Sequence, residues 1–229
     1  MDRIRKAEMQ TLELQRDSGL REPLTVALPD PFPLYRGGSI SGGVIAYETW
    51  GQLSPARDNA ILLFTGLSPS AHAAASDQDP TPGWWQKMIG PGCAIDTRRF
   101  FVICVNSLGS CFGSTGPASR NPATGERFGL GFPEIAVEDI ATAGYAAVRA
   151  LGIQQLSAVV GASLGGMVVT AFAALHPHGA RRLISISGSP AASPFALALR
   201  SVQREAILRD PDWQGGNYAT DKPPRNGMR

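Results

Sequence analysis

The chain has 229 residues, of which 43% are hydrophobic and 17% charged, values typical of a globular protein with a sizeable core. Its formal net charge of +2 gives no reason to expect a nucleic-acid partner or an acidic membrane surface. No apolar run approaches the roughly 18 residues of a membrane span, and the charged first 23 residues do not resemble a secretory signal.

Three cysteines occur in the sequence, at positions 93, 104 and 111. Their odd number and their spacing fit neither a disulfide framework nor a metal site. We therefore expect reduced thiols, a cytoplasmic location and no bound metal.

The predicted elements alternate between strands and helices. Residues 1–35 are polar and interrupted by prolines, which predicts a loose N-terminal arm, and residues 36–229 form the predicted domain. Strands are predicted at 44–49, 60–64, 100–105, 156–160 and 182–186, of which 60–64, 100–105 and 156–160 are expected to be buried on both faces. Helices are predicted at 137–151, 164–175 and 193–208. This alternation indicates an α/β protein whose mostly parallel sheet is covered by helices on both faces. The long loop 68–83 is of a length that is more often functional than idle.

The sequence GASLG places Ser163 between Gly161 and Gly165. A G-x-S-x-G pattern is weak alone, but here it joins a predicted buried strand to a predicted apolar helix, the setting of a nucleophile elbow. The amide groups at the start of that helix would face a developing oxyanion. The alternative is a tight or phosphate-cradling turn with no nucleophile.

A second oxyanion donor is expected from a loop that follows an earlier strand. The segment TGLS, Thr65–Ser68, directly follows the strand at 60–64. We expect the N–H groups of Leu67 and Leu164 to be the two donors. Without the serine, a glycine turn with no role would be the better interpretation.

A serine nucleophile needs a neighbouring base, and the chain contains three histidines. His176 and His178 follow the helix that begins after Ser163, so they lie roughly 20 Å away and are expected to cap its carboxyl end. His72 is interpreted as a solvent-exposed loop residue, although its loop lies on the side of the sheet where Ser163 is expected. In this fold the acid and the histidine follow the serine, and no histidine follows His178.

Several segments together resemble the homoserine O-acetyltransferase family, a branch of the α/β-hydrolase fold. They include YETWG, NAILLFTGLSPSAHAA, VNSLGSCFGSTGPASRNPATG, GASLGGM and REAILRDPDWQGGNY. The resemblance runs from about residue 32 to 229, and TGLSPSAHAA with VNSLGSCFGSTGPAS is most similar to the serine O-succinyltransferase branch. In the family, the sequence continues beyond GMR with the acidic residue and histidine of the triad. The resemblance therefore implies a C-terminally truncated homologue that lacks the last sheet strands and is inactive by itself.

The resemblance implies an acyl-CoA-dependent transfer to the hydroxyl of L-serine or L-homoserine, with succinyl-CoA and L-serine as the first choice. Ser163 matches the nucleophile, and Thr65, Gly66, Leu67 and Ser68 match the segment associated with substrate choice. Arg200 matches a position linked to acyl-CoA specificity, where a guanidinium would bind a succinyl carboxylate; an exposed surface arginine is the alternative. The resemblance also implies a role in cysteine and methionine biosynthesis, no cofactor besides the acyl-CoA co-substrate, and a homodimer at full length. An ester or thioester hydrolase and a non-catalytic fragment remain the competing functions.

Overall fold

The computed structural model describes residues 23–219 and 221–229. Its strands are β1 (Leu24–Ala27), β2 (Phe32–Pro33), β3 (Ser39–Ile40), β4 (Val44–Trp50), β5 (Ala60–Phe64), β6 (Ile89–Gly90), β7 (Ile95–Asp96), β8 (Phe101–Val105), β9 (Ala158–Ala162) and β10 (Leu183–Ile186). Its helices are α1 (Val137–Ala150), α2 (Leu164–Leu175) and α3 (Pro194–Leu208), with 3-10 turns at Gly129–Gly131 and Pro211–Gly216. Every strand and helix predicted between residues 44 and 208 is therefore present, with boundaries that differ by one or two residues.

The central sheet has six strands in the order β1-β4-β8-β5-β9-β10. Strands β8, β5, β9 and β10 are parallel, whereas β4 is antiparallel to β8 and β1 is antiparallel to β4. The inner strand β5 is buried along its whole length, as its continuously apolar sequence predicts for a parallel strand covered on both faces. The mostly parallel α/β sheet is confirmed.

The two faces of the sheet are covered differently. Alternate residues such as Leu62, Phe64 and Val159 pack with buried residues of α1 and α2 in one cluster. Residues between them, such as Leu63 and Val160, pack on the other face against apolar side chains from the segment 71–95. Among the described residues, the second face is thus covered by this segment, which contains only the short strands β6 and β7, rather than by the helices expected there. Small alanines and two isoleucines fill that layer without a helix.

The predicted arm boundary at residue 35 does not coincide with a structural boundary. Strand β1 pairs with β4, and Phe32 is only 1% exposed within the core. The Asp139 carboxylate, buried at the start of α1, accepts a 2.6 Å hydrogen bond from the Tyr35 N–H. Residues 23–35 are therefore part of the domain, and Leu28, Phe32 and Leu34 are buried in its core. The rest of the predicted arm, residues 1–22, lies outside the described residues.

The carboxyl-terminal elements are the least buried part of the fold. Strand β10 is the sheet's last strand, and all four of its residues are exposed. Helix α3 begins as predicted, with the Ser193 hydroxyl accepting from the Ala196 N–H at 3.2 Å and Pro194 at its first position, but it buries no residue. No helix in the described part of the chain is long and apolar enough to cross a membrane.

Candidate active site

Ser163 occupies a strained turn between β9 and α2. Its backbone angles are φ 56° and ψ −116°. Residues other than glycine rarely adopt such a positive φ. Two backbone bonds hold it there: the Ser163 N–H donates to the Ile186 carbonyl at 2.9 Å, and the Met167 N–H donates to the Ser163 carbonyl at 3.1 Å. Such strain costs about 1–3 kcal/mol and is found mostly at functional sites. The side chain is exposed at the carboxyl edge of the sheet.

The two glycines of the motif are required by close backbone contacts. A Cβ atom at Gly161 would lie 2.3 Å from the Gly165 carbonyl oxygen, and one at Gly165 would lie 2.4 Å from the Phe64 carbonyl oxygen. Neither distance allows a side chain. The sharp turn at Ser163 therefore depends on glycine at both flanking positions, as the motif predicted.

Parallel pairing brings the segment Thr65–Ser68 beside this turn. Strand β5 is in register with β9 so that Phe64, the last residue of β5, lies opposite Gly161. A Cβ atom at Gly66 would be 3.9 Å from the carbonyl oxygen of Ala162. The Thr65 side chain is buried, with its hydroxyl oxygen 3.4 Å from that of Ser107.

The expected oxyanion donors line one large cavity. Leu67 and Leu164 both border a space of about 1720 Å³, together with Thr65, Gly66 and Ser68. Within the described residues, neither the Leu67 N–H nor the Leu164 N–H donates to a protein acceptor. Leu164 is the first residue of α2, where the helix dipole is positive. The structure thus brings together the residues that the sequence selected around Ser163, apart from a base.

His72 is not the exposed loop histidine that the sequence suggested. Its side chain is only 15% exposed, with Nδ1 2.9 Å from Glu48 Oε2 and Nε2 2.8 Å from the Thr81 carbonyl oxygen. Burial lowers the pKa of His72, but these hydrogen bonds and the negative charges of Glu48 and Asp79 outweigh burial and raise the pKa. Both partners are acceptors, so the doubly protonated ring fits the site, and such a ring has no free nitrogen to take a proton from Ser163.

The other two histidines lie at the far end of α2, as expected. His176 ends the helix through its backbone, whose N–H donates to the Phe172 carbonyl at 2.8 Å. Its ring does not cap carbonyl groups: it packs against the rings of Tyr145 and Phe172, with centroids 4.6 and 5.2 Å away. Burial lowers the pKa of His176, which favours the neutral ring found in this aromatic cluster. His178 is exposed beyond the helix end.

Arg200 is not brought to the cavity. It lies on the exposed helix α3, and its Nη1 donates to Gln203 Oε1 at 2.8 Å. It is absent from the residues that line the cavity beside Leu164. Its role in acyl-CoA specificity remains a prediction from the resemblance.

Sequence reasoning missed several residues that shape this region. Asn106 is buried, and its Oδ1 accepts the Ala71 N–H at 2.6 Å while its amide group donates to the Phe112 carbonyl. It therefore ties the loop 68–83 to the loop after β8. Its position directly after a buried strand was the available signal. The cavity wall also includes Arg120 and Arg127, which lie in a segment without hydrophobic periodicity.

A parallel sheet with a strained serine between a strand and a helix defines the α/β-hydrolase class. Residues 59–229 match the family model described as the alpha/beta hydrolase fold, and the chain belongs to that family. Within it, the chain is 60% identical over 204 residues to the serine O-succinyltransferase of Litchfieldella anticariensis, an alignment that covers 89% of this chain and 56% of the relative.

Two solved structures extend this comparison. The homoserine O-acetyltransferase from Bacillus anthracis is 34% identical, with a TM-score of 0.83, and the match covers 90% of this chain and 57% of that one. Esterase E22 is 35% identical, with a TM-score of 0.81, and the match covers 90% of this chain and 58% of that one. The resemblance to the homoserine O-acetyltransferase family is confirmed. The chain spans a little over half the length of each of these proteins.

Proposed function

We propose that this chain carries the nucleophile half of an acyl-CoA-dependent O-acyltransferase that acts on the hydroxyl of L-serine or L-homoserine. Succinyl-CoA and L-serine are the first choice, because a serine O-succinyltransferase is 60% identical over the matched region. The observation that carries the proposal is the strained Ser163 beside two N–H groups without protein acceptors. We place the reaction in the cytoplasm and in cysteine or methionine biosynthesis.

The reaction would proceed in two steps through a covalent acyl-serine. The Ser163 hydroxyl loses its proton to a base and attacks the thioester carbonyl carbon, and the N–H groups of Leu67 and Leu164 stabilise the oxyanion. The C–S bond then breaks, and CoA leaves as the thiol after it takes up a proton. The amino-acid hydroxyl attacks the acyl-serine in the same way, which releases the O-acyl amino acid and restores Ser163.

None of the three histidines in the chain is placed to serve as that base. We therefore expect negligible turnover from residues 1–229 alone. The test is a fusion of residues 1–229 to the remaining carboxyl-terminal segment of the Litchfieldella anticariensis enzyme. We expect the fusion to release CoA from succinyl-CoA continuously, with formation of O-succinyl-L-serine, only when L-serine is added. Without L-serine, it should release about one CoA per site as Ser163 becomes succinylated. The same fusion with Ser163→Ala should do none of these. Robust serine-dependent CoA release by residues 1–229 alone, or a Ser163→Ala fusion as active as its parent, would contradict the proposal.

An ester or thioester hydrolase is the second candidate, and the 35% identity to esterase E22 favours it. The two functions differ in the acceptor. Steady CoA or alcohol release with water alone, unchanged by L-serine or L-homoserine, would identify the hydrolase.

A further inference from the structure

Two arginines lie side by side on one wall of the large cavity. Arg120 and Arg127 are directly opposite each other in an antiparallel pair, and backbone hydrogen bonds of 2.7 and 3.0 Å flank the pair on its two sides. This pattern makes them a non-hydrogen-bonded pair, in which the two side chains leave the same face at the closest spacing that antiparallel strands provide. Two guanidinium groups are therefore presented together.

The positive charges of the two arginines are not neutralised by an ion pair with any described residue. Arg120 donates through Nη1 to the Gly125 carbonyl at 2.8 Å, which fixes its position on the turn. The Arg127 guanidinium makes no hydrogen bond or ion pair with any described residue. Like charges directly opposite each other destabilise a strand pair, and among the described residues Glu126 is the only acidic one that lines the cavity. An anion bound between the two arginines would remove that repulsion.

The pair lies on the same cavity as Leu164, the residue that follows Ser163. Arg120 and Arg127 line the same cavity as the oxyanion donors Leu67 and Leu164. This space of about 1720 Å³ is a half-open groove, which can admit a ligand longer than a hydroxy amino acid. Both arginines are exposed, as expected for groups that meet the outer part of a long ligand.

We propose that Arg127, with Arg120 beside it, binds an oxyanion group of the acyl donor. That group is either the free carboxylate of a dicarboxylic acyl chain or a phosphate of CoA, both of which arginine binds through paired N–H groups. The inference rests on the proposed function. It assigns donor recognition to the cavity wall rather than to Arg200, whose side chain is bonded to Gln203 outside the cavity.

The test is a set of dissociation constants measured by titration calorimetry on residues 1–229 carrying Ser163→Ala, so that no donor is consumed. Succinyl-CoA, acetyl-CoA and free CoA are each titrated with and without Arg127→Gln. Arg181→Gln is the matched control, because Arg181 is an exposed arginine at the amino end of β10, at the opposite edge of the sheet from Ser163.

We expect Arg127→Gln to weaken binding about tenfold or more, and Arg181→Gln to leave it within about twofold. A loss of affinity for succinyl-CoA alone would identify the succinyl carboxylate as the group that Arg127 binds. An equal loss of affinity for all three ligands would identify a phosphate of CoA. The inference is overturned if Arg127→Gln matches the control, or if the parent chain binds none of the three. If binding depends on Arg127 but Ser163 of the fusion is never acylated, the proposed function fails and this inference stands.

Discussion

The close packing at Gly165 predicts that the Gly165→Ala substitution destabilises the protein, whereas helix propensity alone predicts that it stabilises the protein. Gly165 is the second residue of α2, where replacing glycine by alanine in open surroundings would stabilise the protein by up to about 1 kcal/mol. Here the added Cβ would lie 2.4 Å from the Phe64 carbonyl oxygen and 2.8 Å from that of Thr65. Since both contacts are with backbone, no side chain can rotate away to relieve them.

The magnitude follows from the displacement required. Ordinary Cβ contacts begin at 3.4 Å, so the end of β5 and the start of α2 must separate by about 1 Å. Overpacking of this kind costs about 1–3 kcal/mol, which exceeds the gain in helix propensity. We expect Gly165→Ala to lower the free energy of unfolding by about 1–2 kcal/mol.

Urea unfolding followed by far-UV circular dichroism measures this difference. Gly131→Ala is the matched control: an added Cβ there meets nothing within 4 Å, so its effect should stay within about 0.5 kcal/mol. A Gly165→Ala variant as stable as the parent, or more stable, would refute the close packing of the serine turn against β5.

Three further predictions concern stability. Ser163→Gly should raise the free energy of unfolding by about 1 kcal/mol in the same urea assay, because glycine adopts φ 56° without strain; a less stable variant would contradict the strained turn. Replacing His72 by glutamine should lower the free energy of unfolding most at acidic pH. The pKa of His72 in the folded protein is raised above the ordinary 6.5, so the stabilisation by the charged ring is fully present below pH 6.5 and is lost as the pH rises through the folded pKa. A cost in urea that is equal at pH 6 and pH 9 would exclude the charged ring. Asp139→Ala should lower the free energy of unfolding by about 1–3 kcal/mol, since the part-buried N–H of Tyr35 and the buried N–H of Ala136 lose their acceptor. Asp139→Asn, which keeps one acceptor oxygen, should have a stability between those of the parent and Asp139→Ala. An Asp139→Ala variant as stable as the parent would show that residues 23–35 are not anchored there.

The fold was largely predictable because its signals are local. Runs such as AILLF at 60–64, bounded by turn residues, fit inner strands buried on both faces, and the apolar stripe at 137–151 fits one buried face of a helix. The segment 23–35 was misjudged for the opposite reason. Its contribution depends on single residues, Phe32 in the core and the Tyr35 N–H on Asp139, which lies 104 positions away. No pattern within the segment indicates such a distant partner.

Some features of the candidate site were predictable from local sequence, and others depend on residues that are distant in the chain. Ser163 and its glycines were identifiable because a strand, a turn and a helix follow one another within a few residues. The environment of His72 was not identifiable, since it is built by Glu48 on β4 and by Asp79 and Thr81 on a loop. A histidine in a polar loop looks exposed until the fold brings carboxylates to it. Pairing of Arg120 with Arg127 likewise depends on a turn whose register the sequence does not reveal.

The register between β5 and β9 brings together two segments that are each recognisable from local sequence but lie far apart in the chain. Phe64 opposite Gly161 brings Leu67 and Leu164 to the lining of the same cavity, although the two residues are far apart in sequence. A slip of one residue would turn the buried side chains of β5 to the opposite face, which the fully apolar strand AILLF alone would not prevent. Of the two motif glycines, Gly165 faces the end of β5, since a Cβ there would lie 2.4 Å from the Phe64 carbonyl oxygen and 2.8 Å from that of Thr65. Gly161 permits the turn itself, where a Cβ would lie 2.3 Å from the Gly165 carbonyl oxygen, and Gly165 permits α2 to begin directly against β5.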